Sequence, residues 1–252
     1  TRQTVSDSFK LSLGFGEESV TDIILLAIRR AGLPEVQAVK TYKAQEAILG
    51  IDWDFWIYHR HYGTIRYYIQ AKKLNLSDDR YDALAHLVSE RPRREQIDVL
   101  EAAAAQAQAV PLYCLYNGIQ PEVDAAERHP NTWSVPIEQY GCTIAALDTV
   151  RQALNTRGAR TFHRLHSRKW VFPWRYLFVF HAKFCGTHHI RSRPPLWPSA
   201  PVRTYSEVPR AILSYVSGER TELPRDFYPD PDEALPKRTV VVDITDVRQD
   251  ED

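Results

Sequence analysis

The alternation of apolar and polar residues is clearest in residues 51–72, where it predicts a β-hairpin. One face of the first strand is apolar and carries Ile51, Trp53, Phe55 and Ile57. Asp52 and Asp54 fall on the opposite face, because side chains alternate between the two faces of a strand. After a short polar connection, a second segment rich in strand formers places Gln70 and Lys72 on one face. The pattern therefore predicts two paired strands, each with polar groups on one face.

The other apolar segments predict a mixed β-sheet flanked by helices, which is an α/β fold. Ser19 and Asp22 have the spacing of a helix-capping box, so the first helix is expected to follow them. The predicted helices are residues 23–31, 94–109 and 144–154, and the predicted strands besides the hairpin are residues 36–42, 111–116, 176–180 and 239–244. No internal repeat or clear linker divides the chain, so one continuous domain is expected.

The composition is that of a folded domain without a membrane span. The chain has 252 residues, of which 44% are hydrophobic and 25% are charged, and these values are ordinary for a folded protein. No apolar run approaches the ~18 residues that indicate a membrane helix, so no membrane association is expected. Cys114, Cys142 and Cys185 form an odd, irregularly spaced set, unlike a disulfide framework. We therefore predict a protein of a reducing compartment, the cytoplasm.

The charges are strongly separated along the chain, although the formal net charge is zero. Residues 149–206 contain eleven Lys or Arg and no acidic residue, whereas residues 219–252 contain eleven Asp or Glu and five Lys or Arg. Such a basic block is typical of a polyanion-binding protein; the alternative is that the fold intersperses these cations with acids from elsewhere. The candidate nucleic-acid-binding residues are Arg164, Arg168, Lys169, Arg175 and Lys183. The acidic tail, residues 219–252, is complementary in charge and could lie over the basic block.

The polar face of the hairpin combines residue types that suit metal-assisted phosphodiester hydrolysis. The carboxylate of Asp52 and the amide oxygen of Gln70 are hard oxygen ligands of the kind that Mg²⁺ prefers. A lysine beside such a metal, here Lys72, can position or deprotonate a water, or stabilise charge that develops on a phosphate. The alternative is that these residues are solvated positions on an edge hairpin.

The sequence around these residues resembles the PD-(D/E)xK nuclease superfamily, in the variant with glutamine in place of the second acid. Gly50-x-Asp52 is followed, 18 residues after the aspartate, by Gln70-x-Lys72. The resemblance is closer still to bacterial effector nucleases of phage-defence systems and to related uncharacterised families. The shared phrases are residues 50–57, residues 70–74 (Gln-Ala-Lys-Lys-Leu), Gln96 within a helix and residues 111–117, with weaker support from residues 172–175.

The resemblance implies both a fold and a set of roles. It implies a restriction-endonuclease-like core in residues 1–120, with residues 121–252 as a C-terminal extension packed on that core. It implies further that Asp52 and Gln70 bind Mg²⁺ or Mn²⁺, and that Lys72 is the catalytic lysine.

Several other residues are candidates for the same site. Many family members carry a metal-binding glutamate on the first helix, and Glu18 matches this position best, with Glu17 as its near rival. Asp54 competes with Asp52 for the main role, and Asp52 is preferred because it follows the glycine of the Gly-x-Asp phrase. The weaker candidates are Glu46 and Lys73.

A second set of potential metal ligands lies in the basic block. It consists of His163, His166, His181, Cys185, His188 and His189. Imidazole and thiolate groups at such spacing can bind zinc, but the sequence lacks paired Cys-x-x-Cys knuckles and only one cysteine takes part. We therefore expect these histidines to belong to the basic surface or to pack against aromatic rings, and not to form a structural zinc site.

Together these observations predict a metal-dependent endonuclease that hydrolyses phosphodiester bonds of DNA. The resemblance implies an effector role in bacterial anti-phage defence, with activity restrained by a regulatory protein partner, by homo-oligomer formation or by a small-molecule signal. Two alternatives stay open. One is an RNase that uses the same site, and the other is a non-catalytic nucleic-acid-binding or assembly subunit that retains the nuclease fold.

Overall fold

The computed structural model of the protein describes residues 2–13, 15–41, 51–90, 93–118, 137–179, 201–222, 224–228 and 236–246. The helices are α1 (Arg2–Lys10), α2 (Glu17–Ala31), α3 (Gln96–Gln106), α4 (Leu147–Leu154), α5 (Phe162–His166) and α6 (Arg210–Val216). The strands are β1 (Val36–Lys40), β2 (Trp53–His59), β3 (Gly63–Lys73), β4 (Leu87–Glu90), β5 (Arg93–Glu95), β6 (Val110–Tyr116), β7 (Cys142–Ala146), β8 (Val171–Pro173), β9 (Thr204–Tyr205) and β10 (Arg238–Asp243). None of these described helices is long and apolar enough to cross a membrane.

The main sheet is mixed and has the strand order β1-β10-β2-β3-β6-β7-β8, with β9 paired to the first part of β3. The pairs β10–β2 and β3–β6 are parallel, and the other neighbours are antiparallel. Strands β4 and β5 form a separate two-stranded sheet. The fold is therefore α/β, with a mixed sheet flanked by helices, as the sequence predicted. Strand β10 comes from the acidic tail and lies inside the sheet, between β1 and β2.

The predicted hairpin is confirmed. Strands β2 and β3 pair antiparallel, with Trp53 opposite Ile69 and Asp54 opposite Tyr68. Both strands are buried along almost their whole length, because helices cover both faces of the sheet. The hairpin therefore lies at the centre of the fold and not at a solvated edge.

Helix α2 packs on one face of the sheet through an apolar face that includes Val20 and Leu25. The predicted capping box is wrong: the helix begins at Glu17, with Gly16 as its N-cap, so Ser19 lies inside the first turn. The physical reason is a tertiary contact, since the carboxylate of Glu17 accepts a hydrogen bond from the backbone of β3. The helix ends at Gly32, which adopts the left-handed conformation (φ 60°) that glycine tolerates best.

The opposite face of the sheet carries two apolar clusters. Helices α3 and α4 cover β3, β6 and β7, where Leu100 and Val150 pack with Tyr113, and α5 packs against β8. Helix α6 covers β1 and β10, and its Ile212 and Tyr215 belong to the same apolar cluster as Trp56. The polar residues of the hairpin lie on this same face.

Two other predictions of local structure are wrong. Residues 144–154 were predicted as one helix, but the first part belongs to β7, which is paired on both sides, and α4 begins only at Leu147. Residues 176–180 were predicted as a strand, but residues 175–179 are helical, and the edge strand is β8. Short apolar runs fit a buried strand and a buried helix equally well, so only the tertiary context separates the two.

Candidate active site

A pocket of about 440 Å³ opens where the two hairpin strands meet the N-terminal ends of α2 and α3. Its charged and amide lining includes Glu17, Glu18, Asp52, Gln70, Lys72 and Lys237. Valine and leucine side chains of β4 and α3 form part of the opposite wall. The pocket therefore combines acids, amides and lysines in one cavity with an apolar wall, which is typical of a ligand site.

Asp52 lies just before β2, opposite Gln70 in the antiparallel register of the hairpin. Its side chain is only 8% exposed. Its Oδ2 accepts hydrogen bonds from the backbone N–H of Ala71 at 2.8 Å and from the side-chain amide of Gln70. Its Oδ1 lies 3.3 Å from the Nζ of Lys237. The predicted meeting of Asp52 and Gln70 is therefore present in the structure.

Lys72 lies in the same pocket, with only 4% of its surface exposed. Its Nζ lies 3.9 Å from Oε2 of Glu17. Burial lowers the pKa of Lys72 below its ordinary value of 10.5; the carboxylates of Glu17 and Asp52 oppose this effect, and Lys237 adds to it. The neutral amine is therefore more accessible than for an exposed lysine, which suits a group that exchanges a proton with water.

The two glutamates of the first helical turn both line the pocket, but they differ in their contacts. Glu18, the preferred residue from the sequence, is exposed at the pocket. Glu17 is partly buried, and its Oε1 accepts a hydrogen bond of 3.0 Å from the backbone N–H of Lys73. Helix α2 therefore delivers two carboxylates to the pocket, and the tighter contact with the hairpin belongs to Glu17.

Asp54, the competing aspartate, does not line the pocket. Its side chain is fully buried, and Arg66 binds it with both Nε (2.9 Å to Oδ1) and Nη2 (3.1 Å to Oδ2). Its Oδ2 also accepts hydrogen bonds from the indole N–H of Trp56, at 3.0 Å, and from the hydroxyl of Tyr228. These donors occupy both oxygens, so Asp54 serves the packing of the sheet.

Of the weaker candidates, Lys73 does not line the pocket either. The Nζ of Lys73 donates a hydrogen bond to the backbone carbonyl of Phe15, so this lysine holds the segment before α2 against the hairpin. Glu46 lies outside the described residues. Trp56, which shares the polar face of the hairpin, is fully buried and packs against Tyr205 and Phe227. Trp56 is thus a core residue.

The sequence did not indicate several residues of the pocket. Lys237 precedes β10 and reaches Asp52 only because β10 lies beside β2. His86 and Gln96 line the wall near α3; Gln96 belongs to the shared phrases, but its position in the pocket was not predicted. The only signal for Lys237 was its place just before a Thr-Val-Val-Val run, which is typical of a buried strand.

The described residues of the pocket do not form a compact cluster of strong metal ligands. Among the residues that the structure describes, no group of three or more His, Cys, Asp or Glu side chains is arranged to hold a metal ion. Mg²⁺ is usually bound by one or two carboxylates and keeps several waters. One buried carboxylate with a neighbouring amide and a glutamate at the rim is within that range.

Of the potential zinc ligands, only His163 and His166 are described. His163 is exposed. His166 is fully buried, with its ring stacked on Phe162 at 4.0 Å. Its Nε2 lies 2.9 Å from the hydroxyl of Thr143, and its Nδ1 lies 2.9 Å from the carbonyl of Phe162. Both ring nitrogens are thus engaged inside the core. His181, Cys185, His188 and His189 lie outside the described residues.

The described candidate residues of the basic block do not line the pocket. Arg164 and Lys169 are exposed on and after α5, and Arg168 is partly buried between them. Arg175 follows β8 and lies over the ring of Tyr176 at 4.8 Å. Strand β8 is separated from β3 by β6 and β7, which corresponds to roughly 14 Å at about 4.8 Å per strand. Lys183 lies outside the described residues.

The described part of the acidic tail does not cover the basic block. Residues 238–243 form β10 inside the sheet. Beyond the strand, Asp246 forms an ion pair with Arg60 at the turn between β2 and β3. The basic surface near β8 is therefore not neutralised by either of these segments.

Comparison with known proteins gives a family but no activity. No curated protein and no solved structure matches the chain. The pocket itself must therefore carry the functional argument. The match to one family covers nearly the whole sequence: the chain belongs to the family of unknown function DUF6615, whose profile matches residues 1–244.

Proposed function

We propose that this chain is a metal-dependent endonuclease that hydrolyses phosphodiester bonds of DNA, with its catalytic group in the Asp52 pocket. The observation that carries the proposal is the meeting of Asp52, Gln70 and Lys72 in one cavity at the end of two paired strands. A carboxylate, an amide and a buried lysine on a rigid hairpin form a set that can support metal-assisted hydrolysis of a phosphodiester.

The order of secondary-structure elements supports a restriction-endonuclease-like core. Helix α2 is followed by β1 and the β2–β3 hairpin, and then by α3 and β6, which pairs parallel with β3. Strand β6 contains most of residues 111–117, a segment in which the sequence resembles the nuclease families. The resemblance in sequence and the arrangement of the elements thus support the same proposal independently.

The residues of the pocket fit a divalent cation. Oδ1 of Asp52 already lies beside a cation, the ammonium of Lys237, so the pocket accommodates positive charge at this oxygen. Gln70 directs its amide group toward Asp52, and rotation of the amide would present its oxygen instead; the two amide atoms are assigned from the hydrogen-bond network. Mg²⁺ or Mn²⁺ would be held by Asp52 and Gln70, with the carbonyl of Ala71 and Glu18 as further ligands. When bound, the metal supplies stabilisation of the charge on the scissile phosphate.

Lys72 performs the proton chemistry in this proposal. Its burial lowers its pKa, so the amine can accept a proton from the attacking water or hold that water in line with the phosphorus. Glu17, 3.9 Å from Nζ, keeps the amine directed into the pocket. The basic residues near β8 would bind flanking phosphates without reading sequence.

The proposed biological role follows the resemblance and not the geometry. Effector nucleases of phage defence must be inactive until infection, so the proposal includes restraint by a protein partner, by self-association or by a small-molecule signal. It also includes a cytoplasmic location, where phage DNA is accessible.

The decisive experiment is cleavage of supercoiled plasmid in Mg²⁺ or Mn²⁺. Lys72→Met should reduce the nicking rate by about 10²-fold or more, as removal of a proton-transfer group usually does. Asp52→Asn should reduce the rate by a similar factor, because it replaces the carboxylate that would hold the metal. Lys40→Met is the matched control, because it removes a lysine that pairs with Asp22 and does not line the pocket. This control should cleave at a rate close to that of the wild type.

Parallel substrates separate the proposed enzyme from its alternatives. Cleavage of structured RNA but not of plasmid would indicate an RNase with the same site. Metal-independent DNA binding without cleavage, unchanged in Asp52→Asn, would indicate a non-catalytic binding subunit. DNA binding should also weaken steeply with salt, since the logarithm of affinity falls in proportion to the phosphates that the protein neutralises.

A further inference from the structure

Lys237 brings a second lysine to the pocket from a distant part of the chain. Its ammonium lies 3.3 Å from Oδ1 of Asp52. The other carboxylate oxygen accepts its hydrogen bonds from the hairpin itself, at Gln70 and Ala71. The ammonium therefore lies at Oδ1, the carboxylate oxygen that these two hairpin groups do not contact.

The backbone of Lys237 is fixed by the sheet, whereas its side chain has room to move. Its backbone N–H donates to the carbonyl of Ile51 at 2.5 Å, and its carbonyl accepts from the N–H of Thr41 at 2.9 Å. Its side chain is 28% exposed, compared with 8% for Asp52. A lysine ammonium on a flexible four-carbon chain can therefore leave the pocket for solvent without any change in the sheet.

Two cations at the same carboxylate oxygen repel each other in a largely buried site. Their repulsion is strong because the surroundings screen charge less than water does, and Lys72 already adds a further amine nearby. A divalent ion at Oδ1 of Asp52 would therefore compete with the ammonium of Lys237 for this position.

From this geometry we infer that Lys237 is an intramolecular competitor for the divalent cation: it neutralises Asp52 in the metal-free protein and leaves when Mg²⁺ or Mn²⁺ binds. This inference rests on the proposed metal site. This competition would also regulate the site. A polyanion that attracts the displaced ammonium favours metal binding, and the metal favours polyanion binding by the same factor, because coupling between two binding sites is reciprocal. Metal and a DNA phosphate therefore bind cooperatively.

The test is calorimetric titration of Mn²⁺ into the full chain without nucleic acid. Lys237→Met, which keeps the length of the side chain but removes its charge, should bind Mn²⁺ about tenfold more tightly than the wild type, within the range of about 5–150-fold usual for coupled sites. Lys40→Met is the matched control: it removes the same charge from β1, where Lys40 pairs with Asp22 at 2.9 Å outside the pocket. Its affinity should equal that of the wild type.

The outcomes distinguish this inference from the proposed function. Mn²⁺ that binds the wild type but not Asp52→Asn, with equal or weaker affinity in Lys237→Met, would overturn the competition while leaving the metal site intact. Absence of Mn²⁺ binding in the wild type and in Lys237→Met would reject the metal site and the inference together. Lys237→Gln provides a second neutral variant if the methionine variant does not fold, and it should show the same tightening.

Discussion

Asp52 and Asp54 stand two residues apart on one face of the same hairpin, yet their surroundings differ completely. Asp54 is sealed inside the sheet, where four donor groups from Arg66, Trp56 and Tyr228 occupy its oxygens. Asp52 lines a cavity of about 440 Å³, and its Oδ1 lies 3.3 Å from the partly exposed ammonium of Lys237. The comparison shows that the partners of a carboxylate, and not its position in the strand pattern, separate a packing role from a candidate catalytic role.

The surroundings of the two aspartates also differ in their effect on the pKa of the neighbouring cation. Burial alone would disfavour the charge of Arg66, but the carboxylate of Asp54 more than offsets this effect and raises the pKa of Arg66 above its ordinary value. The guanidinium is further enclosed by the rings of Trp56, Tyr68 and Tyr228, at 4.5–4.8 Å. In the pocket, by contrast, burial lowers the pKa of Lys72. The carboxylate of Asp54 thus offsets the cost of burying the charge of Arg66. The carboxylates of Glu17 and Asp52 do not fully offset the cost of burying the charge of Lys72.

The largest expected effect follows from loss of the sealed pair, which is the buried ion pair of Asp54 and Arg66. Asp54→Ala should lower the free energy of unfolding by about 3–5 kcal/mol, because it leaves a buried guanidinium without its counter-ion. Urea unfolding followed by tryptophan fluorescence measures this change. Asp52→Ala is the matched comparison, and it should lose much less because its cationic partner Lys237 is partly exposed and can be solvated.

A double variant sharpens the same prediction. Asp54→Ala combined with Arg66→Met removes both charges, so the double variant should be less destabilised than the sum of the two single variants. If the effects simply add, or if Asp54→Ala loses no more stability than Asp52→Ala, the sealed pair does not have the role that its geometry indicates.

The sequence was sufficient for the features that depend on local pattern. Alternation predicted the hairpin, and the antiparallel register then brings Asp52 opposite Gln70 without further information. It could not separate Asp52 from Asp54, because the hydroxyl that completes the shell of Asp54 comes from Tyr228, far along the chain. The preference for Asp52 came from the resemblance alone.

The sequence was insufficient where a role depends on strand order. Lys237 reaches the pocket because β10 inserts between β1 and β2, and nothing in the residues around Lys237 indicates that neighbour. The strand β7 was missed for a related reason, since the short apolar run at its centre is compatible with both helix and strand until its pairing with β6 and β8 is known.

A smaller effect is expected from one hydrogen bond of the sealed pair. Tyr228→Phe removes the hydroxyl that donates to Asp54 but keeps the ring that lies over Arg66. The free energy of unfolding should fall by about 1.5–3 kcal/mol, the range for hydrogen bonds to charged groups. Tyr205→Phe, whose ring packs against Trp56 in the same cluster, is the control and should change stability by less. Equal losses in the two variants would contradict a specific role for the Tyr228 hydroxyl.

In the pocket, removal of a charge is expected to act in the opposite direction. Lys72→Met should raise the free energy of unfolding near neutral pH, by about 0.5–2 kcal/mol, the usual range for single stabilising substitutions. The reason is that burial of the ammonium outweighs its interactions with Glu17 and Asp52. The same variant should lose nuclease activity, so stability and activity would change in opposite senses. A Lys72→Met protein that is both inactive and less stable would indicate a structural role for this lysine.

The final and smallest effect is the dependence of that gain on pH. Because the pKa of Lys72 in the folded protein lies below 10.5, both the folded and the unfolded chain carry the proton at low pH, and the folded protein bears the full cost of the buried charge. As the pH rises through the folded pKa toward 10.5, the folded protein releases its proton first; the unfolded chain then binds more protons, and the wild type gains stability. The advantage of Lys72→Met should therefore be largest at about pH 7 and smaller at about pH 9.5, as urea unfolding at both values measures. Lys73→Met serves as the control, and its difference from the wild type should not follow this trend. An advantage of Lys72→Met that stays constant or grows with pH would show that the buried charge of Lys72 is not its source.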